Sequence, residues 1–282
     1  MDHMPTPEEI FGTFVNWKYD AHTWFITGLD GTLYMYLLEG EEKALLIDTA
    51  YGLCDLKSYC EKLTDKPIVV VNTHGHLDHA GGNGYFEEVM MHPNAPVDFA
   101  TFEGGPCDIT KLPHPDYKKK FISEGDVIDL GGRKVEVFDI TAHSNGSLAF
   151  LDKNSRLLFV GDELESAQVL MYEIAEDANR PYDLAGRVKQ HKANMEKLWE
   201  HRDEFDFCCP NHNGAPIAKE YILDYIGLSD AILDGTVTVE NELHHKYIDA
   251  SPLGPSLCRA RYKKASFFVR KDQLAAIRKK GE

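Results

Sequence analysis

The residues most able to do chemistry crowd into one short segment, Thr73-His74-Gly75-His76-Leu77-Asp78-His79-Ala80-Gly81-Gly82-Asn83. Three of the chain's 13 histidines fall there beside an aspartate, a pattern that random placement would give on the order of two times in a thousand. Imidazole nitrogens and carboxylate oxygens are the donors that divalent transition metals take from proteins. His74 and His76 can aim one way from a glycine-containing loop and Asp78 with His79 another, which offers two neighbouring metal positions. The plain alternative, a polar loop closing a strand, gives no reason for the clustering. Two metals need more donors than this loop holds, and further candidates stand where other apolar runs end: His143 after 135–141, Asp162 after 157–160 and His212 after 205–209. Taken singly, each would be an ordinary hydrogen-bonded histidine or a turn aspartate. Their recurrence at strand ends, where layered α/β proteins present functional side chains, makes them a set.

The rest of the chain must position these donors. Short β-rich runs at 13–17, 23–27, 32–38 and 43–47 predict an antiparallel meander. Helical spacing marks 53–63, an unbroken apolar run at 67–71 predicts a strand buried on both faces, and a weak helical signal covers 84–88. Residues 93–121 lack periodicity and read as a long loop excursion, a lid or specificity element. Strands resume at 127–130, 135–140, 147–151 and 157–160. A helix at 184–199, a strand at 205–209, a helix at 218–233 and an edge strand at 236–243 follow. The tail from Ser256 carries Arg259, Arg261, Lys263 and Lys264 around a strand at 266–269, read as a solvated basic edge.

Composition limits the partners. The chain has 282 residues, 43% hydrophobic and 27% charged, as expected of a folded globular protein. Thirty basic against 46 acidic residues give a net charge of −16, which disfavours nucleic acid. Six cysteines, at 54, 60, 107, 208, 209 and 258, form no disulfide framework, so reduced thiols and a cytoplasmic setting are expected. No run is long enough to span a membrane and no export signal opens the chain. Residues 1–3 are expected to be a cloning remnant ahead of Met4. A homodimer through an exposed strand or the tail is left open.

Taken together, His74-x-His76-x-Asp78-His79, then His143, Asp162 and His212 in that order, resemble the metallo-β-lactamase-fold hydrolase superfamily, with Asp48 of Ile47-Asp48-Thr49 fitting a further motif. The resemblance implies an αββα sandwich: an α/β (α+β) fold of two mixed sheets face to face with helices outside. It implies a domain over 5–234, including the 93–121 insertion, and leaves 235–282 as a β-containing extension packed on it. By the same resemblance one zinc is held by His74, His76 and His143 and the other by Asp78, His79 and His212. Asp162 would bridge the two and Asp48 would orient the metal loop; iron or manganese are alternatives to zinc. Two ions, two aspartates and a bridging hydroxide leave the centre at about +1, suited to an anionic tetrahedral intermediate.

The expected reaction is therefore attack of zinc-activated hydroxide on the carbonyl of a small-molecule ester, thioester, lactone or amide, with Asp78 and Asp162 as the catalytic carboxylates. Alternatives are phosphodiester or phosphonate hydrolysis, β-lactamase-type amide hydrolysis, and a non-catalytic metal-binding domain. True β-lactamases of the superfamily carry Cys or Ser at the position of Asp162. Lactonases often place tyrosine where Glu165 stands, and nuclease-like members have glycine where Leu77 stands. A redox diiron member would carry an acidic residue in place of His76. Glyoxalase II matches at 73–83, but its helical C-terminal region is not evident here. Tyr172, Tyr182, Asn145 and His114 are candidate substrate contacts, with Phe99, Phe102 and Asn213 behind them.

Overall fold

β-branched and aromatic residues dominate the first half of the chain and build one large sheet. β1 (Phe14–Asp20), β2 (Thr23–Gly28), β3 (Tyr34–Glu39) and β4 (Ala44–Ile47) pair antiparallel in sequence order. β5 (Ile68–Val71), β6 (Glu88–Met91) and β7 (Lys118–Phe121) extend it in parallel. The computed structural model describes residues 13–29, 31–96, 116–172, 182–243 and 254–280.

β8 (Val127–Asp129), β9 (Lys134–Asp139), β10 (Leu148–Asp152) and β11 (Leu157–Gly161) form the antiparallel part of a second sheet. The next strand, β12 (Val169–Leu170), leaves for a third sheet, whereas β13 (Phe207–Pro210) lies parallel to β11 and β14 (Ile217–Ala218) closes that edge. The third sheet runs β12-β17-β16-β15, from β15 (Thr238–Glu240), β16 (Leu257–Tyr262) and β17 (Ala265–Arg270).

Period-two alternation sorts the first sheet's side chains. Phe25, Tyr36, Leu45, Ile47 and Val71 meet Val137, Leu148, Phe150 and Phe159 of the second sheet. The intervening Ile26, Leu37, Leu46 and Val70 turn outward onto Leu56 and Cys60 of α1 (Leu56–Cys60). α2 (Leu77–Ala80) is one turn in the histidine-rich segment 74–79. The outer face of the second sheet is covered by α3 (Leu184–Glu200), through Leu184, Val188, Met195 and Leu198, and α4 (Tyr221–Leu233), through Tyr225, Leu228 and Ile232. Phe267 and Val269 of the third sheet join this same cluster, and the chain continues into α5 (Lys271–Lys280). The expected αββα sandwich is the one observed, with a third sheet added on the α3–α4 side.

Three local expectations are corrected. Helix spacing at 53–63 yields only α1, because Asp55 caps it late by accepting the Ser58 N–H at 3.0 Å. The segment at 84–88 is a 3₁₀ turn, Asn83–Tyr85, running into β6. The excursion at 93–121 is not all loop: β7 lies within it, four exposed residues including three lysines. An edge strand takes its order from its one neighbour and shows no alternation, and lysines discourage further pairing. Phe99, Phe102 and His114 lie outside the described residues. Among the described residues no helix is long and apolar enough to cross a membrane.

Candidate metal centre

Each donor hangs from the end of a core strand. His74 follows β5 by three residues, His76 is the cap residue before α2, and α2 displays Asp78 and His79 in its single turn. His143 lies beyond β9, Asp162 directly after β11 and His212 two residues after β13. The buried Tyr36 hydroxyl donates to the Pro210 carbonyl, tying the first sheet to the strand that ends in His212. Ala95 is wedged between the two histidine loops: a Cβ on Gly75 would meet the Ala95 carbonyl oxygen at 1.9 Å, and one on Gly146 would meet its nitrogen at 2.6 Å. The obstacle is backbone, which cannot swing away, so Gly75→Ala is expected to cost about 1–3 kcal/mol. It should also displace His74 and His76 and so weaken the uptake of an added divalent metal, readable by thermal unfolding and metal analysis.

Seven donors converge. His76 Nδ1 lies 2.9 Å from His74 Nε2 and 3.1 Å from His143 Nε2. On the other side, Asp78 Oδ2 lies 3.1 Å from His212 Nε2 and 3.6 Å from His79 Nε2. Asp162 Oδ2 stands between the two groups, 3.3 and 3.5 Å from His79 and His212 and 3.9 and 3.8 Å from His74 and His143. The donor atoms fall into the sets His74–His76–His143, His74–His79–Asp162 and Asp78–His79–His212, each within 4.8 Å.

The outer nitrogens fix how these rings point. His79 Nδ1 donates to Asp48 Oδ2 at 2.9 Å, His143 Nδ1 to the Leu170 carbonyl at 2.8 Å and His212 Nδ1 to the Thr32 carbonyl at 2.6 Å. His74 Nδ1 lies 3.1 Å from Thr73 Oγ1, whose own proton goes to Asp48 Oδ2 at 2.7 Å. In all four rings Nε2 therefore faces inward, the nitrogen a metal ligand presents. Asp48 also accepts the Thr73 N–H at 2.7 Å and the Asn211 amide at 2.8 Å. It sits at φ +64, a left-handed conformation costly for a non-glycine residue and here imposed by that web of bonds.

These residues fit a metal pair. His79 Nε2 and Asp162 Oδ1 are buried without a hydrogen-bond partner. Of the three nitrogens meeting at His76, those of His74 and His143 belong to rings whose proton sits on the outer nitrogen, so one proton on His76 Nδ1 would have to satisfy two acceptors. A tetrahedral zinc with donors at about 2.1 Å would hold them about 3.4 Å apart, close to the spacings here.

Electrostatics divides the centre in two. Burial and the neighbouring imidazoles hold His74 well below the usual histidine range and His76 at about 3, and burial lowers His143 against the pull of Asp162. Those three are neutral and ready to ligate. On the other side burial is outweighed by Asp162 and Asp78, which lift His79 well up and His212 to about 10. The same pairs hold Asp78 at about 2 against burial, through His79 and His212. A cation entering the second site replaces protons on His79 and His212. Titration with a divalent metal at pH 7 is therefore expected to release protons from the Asp78–His79–His212 group and none from His74, His76 and His143. Affinity should weaken as pH falls, and calorimetry in buffers of different ionisation enthalpy measures the release.

The other expected contacts separate. Asn145 lies on the His143 loop, its carbonyl accepting from Asn94 at 3.1 Å. Tyr172 packs on Leu257 and Phe268 of the third sheet. Tyr182 packs on the α3–α4 cluster under the Arg187 guanidinium, which lies 5.2 Å from its ring. Asn213 donates to the Glu165 carboxylate. Glu165 itself, and Glu163 whose Oε1 accepts the N–H groups of Ala142 and His143 at 2.9 and 2.7 Å, gave no sign as site residues beyond nearness to Asp162. Burial raises Glu163 to about 7, and burial with the Asp162 charge raises Glu165 to about 8.

The profile of the metallo-β-lactamase superfamily matches residues 30–201, more than half of the chain. The chain belongs to the metallo-β-lactamase superfamily. A Homo sapiens protein named acyl-coenzyme A thioesterase MBLAC2 is 29% identical over 196 residues, covering 59% of this chain and 67% of its own. The Gallus gallus protein of that name is 28% identical over 155 residues, covering 45% and 56%. Hydroxyacylglutathione hydrolase of Erythrobacter litoralis is 31% identical over 121 residues, 42% of either chain. The match thus spans between about two fifths and two thirds of these relatives' lengths. Among solved structures, a metallo-β-lactamase from Pontibacter korlensis superimposes with a TM-score of 0.56 at 17% identity, over 77% of this chain and 99% of that one. The sec-alkylsulfatase Pisa1 from Pseudomonas gives 0.59 at 16% identity, over 78% and 42%. What these two share with this superfamily member is the fold.

Proposed function

We propose that this protein is a metal-dependent hydrolase of small-molecule thioesters that holds two divalent ions, zinc by its donor set. His74, His76 and His143 would hold one ion, Asp78, His79 and His212 the other, with Asp162 shared. The observation that carries this reading is the convergence of seven inward-facing donors, with His79 Nε2 and Asp162 Oδ1 buried and without a hydrogen bond. Bound there, the ions would polarise the acyl carbonyl and bring the pKa of water to about 7. The chain's own residues do the rest. Asp162 carries the negative charge that couples both halves, and Asp48 locks His79 and the Thr73 peptide. Asp78 is the proton relay from the attacking water toward the leaving group. A thiol, with a pKa of about 8.5, departs largely as thiolate, so the reaction does not need the ionised Asp78 to arrive carrying a proton. Histidine rather than an acidic residue at position 76 favours zinc and hydrolysis over redox iron. The thioester class is supported by the relatives' names, thioesterase and hydroxyacylglutathione hydrolase. The free cysteines at 54, 60, 208, 209 and 258 fit a reducing, cytoplasmic setting.

The test is a panel on zinc-loaded protein: acyl thioesters, aryl acetates, lactones, a β-lactam and bis-aryl phosphates. Thioesters should turn over fastest, with activity lost on chelation and regained with zinc. Turnover of phosphate diesters alone would overturn the reading. So would a protein holding two zinc ions and hydrolysing nothing, the behaviour of a non-catalytic metal domain.

A further inference from the structure

The outer hydrogen bonds of the four Nε2-facing histidines come from different parts of the chain. Thr32, Asp48 and Thr73, which hold His212, His79 and His74, all lie in loops of the first sheet. His143 alone among them leans on the third sheet, through the Leu170 carbonyl. Leu170 belongs to β12, two residues long, and a strand that short has no stability of its own. It is placed by β17: Val169 and Leu170 pair parallel with Phe267 and Phe268, the Met171 N–H donates to the Phe268 carbonyl at 2.9 Å, and Ser266 Oγ donates to the Ala167 carbonyl at 2.5 Å. β17 is firmly anchored in turn. It pairs with β16 along six residues, and the fully buried Phe267 ring stands 4.9 Å from His191 of α3 and 5.5 Å from Tyr225 of α4.

We infer that the β16–β17 hairpin, which lies beyond the superfamily match at 30–201, is a positioning element of the metal centre: it sets the Leu170 carbonyl, which fixes the tautomer and ring plane of His143. The inference rests on the reading of His143 as a metal ligand. Without the seam the His143 ring is free to rotate about Cβ–Cγ and its Nδ1–H loses its acceptor, so one of the two sites loosens while the Asp78–His79–His212 site stays intact.

The experiment weakens the seam without touching a ligand. Ser266→Ala removes the bond to Ala167, Ser266→Thr keeps the hydroxyl, and Met171→Pro with Ser266→Ala also removes the bond to Phe268. Zinc stoichiometry and affinity are measured by chelator competition, with the visible spectrum of the cobalt-loaded protein as a second readout and circular dichroism as the check on folding. Loss of an outer partner lowers metal affinity by about 10–100-fold. The double variant should therefore bind one zinc normally and the other about 10-fold more weakly, with an altered cobalt spectrum. Ser266→Ala should fall between it and wild type, and Ser266→Thr should restore wild-type binding. If the double variant fails to fold, the contrast between Ser266→Ala and Ser266→Thr decides. Wild type and seam variants that bind two zinc ions equally well would overturn the inference and leave the proposed function standing. A wild type that binds no zinc would overturn both.

Discussion

Asp162→Asn is expected to reduce the zinc content from two ions to one or none and to lower kcat/KM for a thioester by about three orders of magnitude, the scale of losing a preorganised electrostatic element. One carboxylate oxygen stands within 3.9 Å of four inward-facing imidazole nitrogens. An amide of the same shape offers one oxygen acceptor and turns an NH₂ toward the rest. It also removes the charge that, above burial, does most to lift His79 and His212. Asp78→Asn is the informative contrast, since its carboxylate reaches only His79 and His212 among the donors. It should cost the second ion and leave the three-histidine site occupied. Metal analysis after dialysis, beside steady-state kinetics, reads both. An Asp162→Asn protein that keeps two tightly held zinc ions would remove the shared carboxylate from the proposal.

Much of this centre was legible in the sequence because its donors sit where strands end. A strand end is signalled by the termination of an apolar run, and after each of the four relevant runs a histidine or aspartate follows within three residues. The layers were legible from the short β-rich runs themselves: 23–27 and 34–38 are buried on both faces, and only 135–139 alternates between a buried and a more exposed face. What the sequence hid depends on partners distant along the chain. The acceptors for His143 and His212 are backbone carbonyls of Leu170 and Thr32, and a carbonyl has no residue type to read. β7 and β12 are strands only because β6 and β17 accept them, so neither carries a periodic pattern of its own. Tyr172 and Tyr182, candidate substrate contacts by residue type, pack on hydrophobic clusters. An aromatic's area is as useful to a core as its hydroxyl is to a ligand.

The end of the sandwich opposite the metals holds the largest expected stability effect. Arg133, at the β8–β9 turn, is 5% exposed and spends its guanidinium on both sheets at once. Nε and Nη2 donate to Asp152 Oδ2 at 3.2 and 2.5 Å. Nη1 donates to the His22 and Glu39 carbonyls at 2.9 and 3.0 Å, and Nη2 to Thr23 Oγ1 at 2.8 Å. Thr23 begins β2 and Glu39 ends β3, whereas Asp152 ends β10, so this one side chain bolts the first sheet to the second. Asp152 is fully buried. Arg133→Ala leaves its charge with only the hydroxyl and N–H groups of the 154–155 turn, and is expected to cost about 3–5 kcal/mol. For a domain of this size that is a fall in Tm of about 10 °C. Arg133→Lys keeps the charge but loses the planar fork and should fall between Ala and wild type. Because much of the single-variant penalty is the stranded carboxylate, Arg133→Met with Asp152→Leu should recover most of the loss, as buried pairs replaced by apolar groups often do. The folded fraction of each variant should keep its full zinc content, since Arg133 stands just ahead of β9 and its partners Asp152 and Ser155 just ahead of β11, at the ends opposite those that lead to His143 and Asp162. Thermal unfolding of the four proteins at fixed zinc gives the order, and a double variant no more stable than Arg133→Ala would mean that the hydrogen bonds across the two sheets, not the paired charge, hold this end closed.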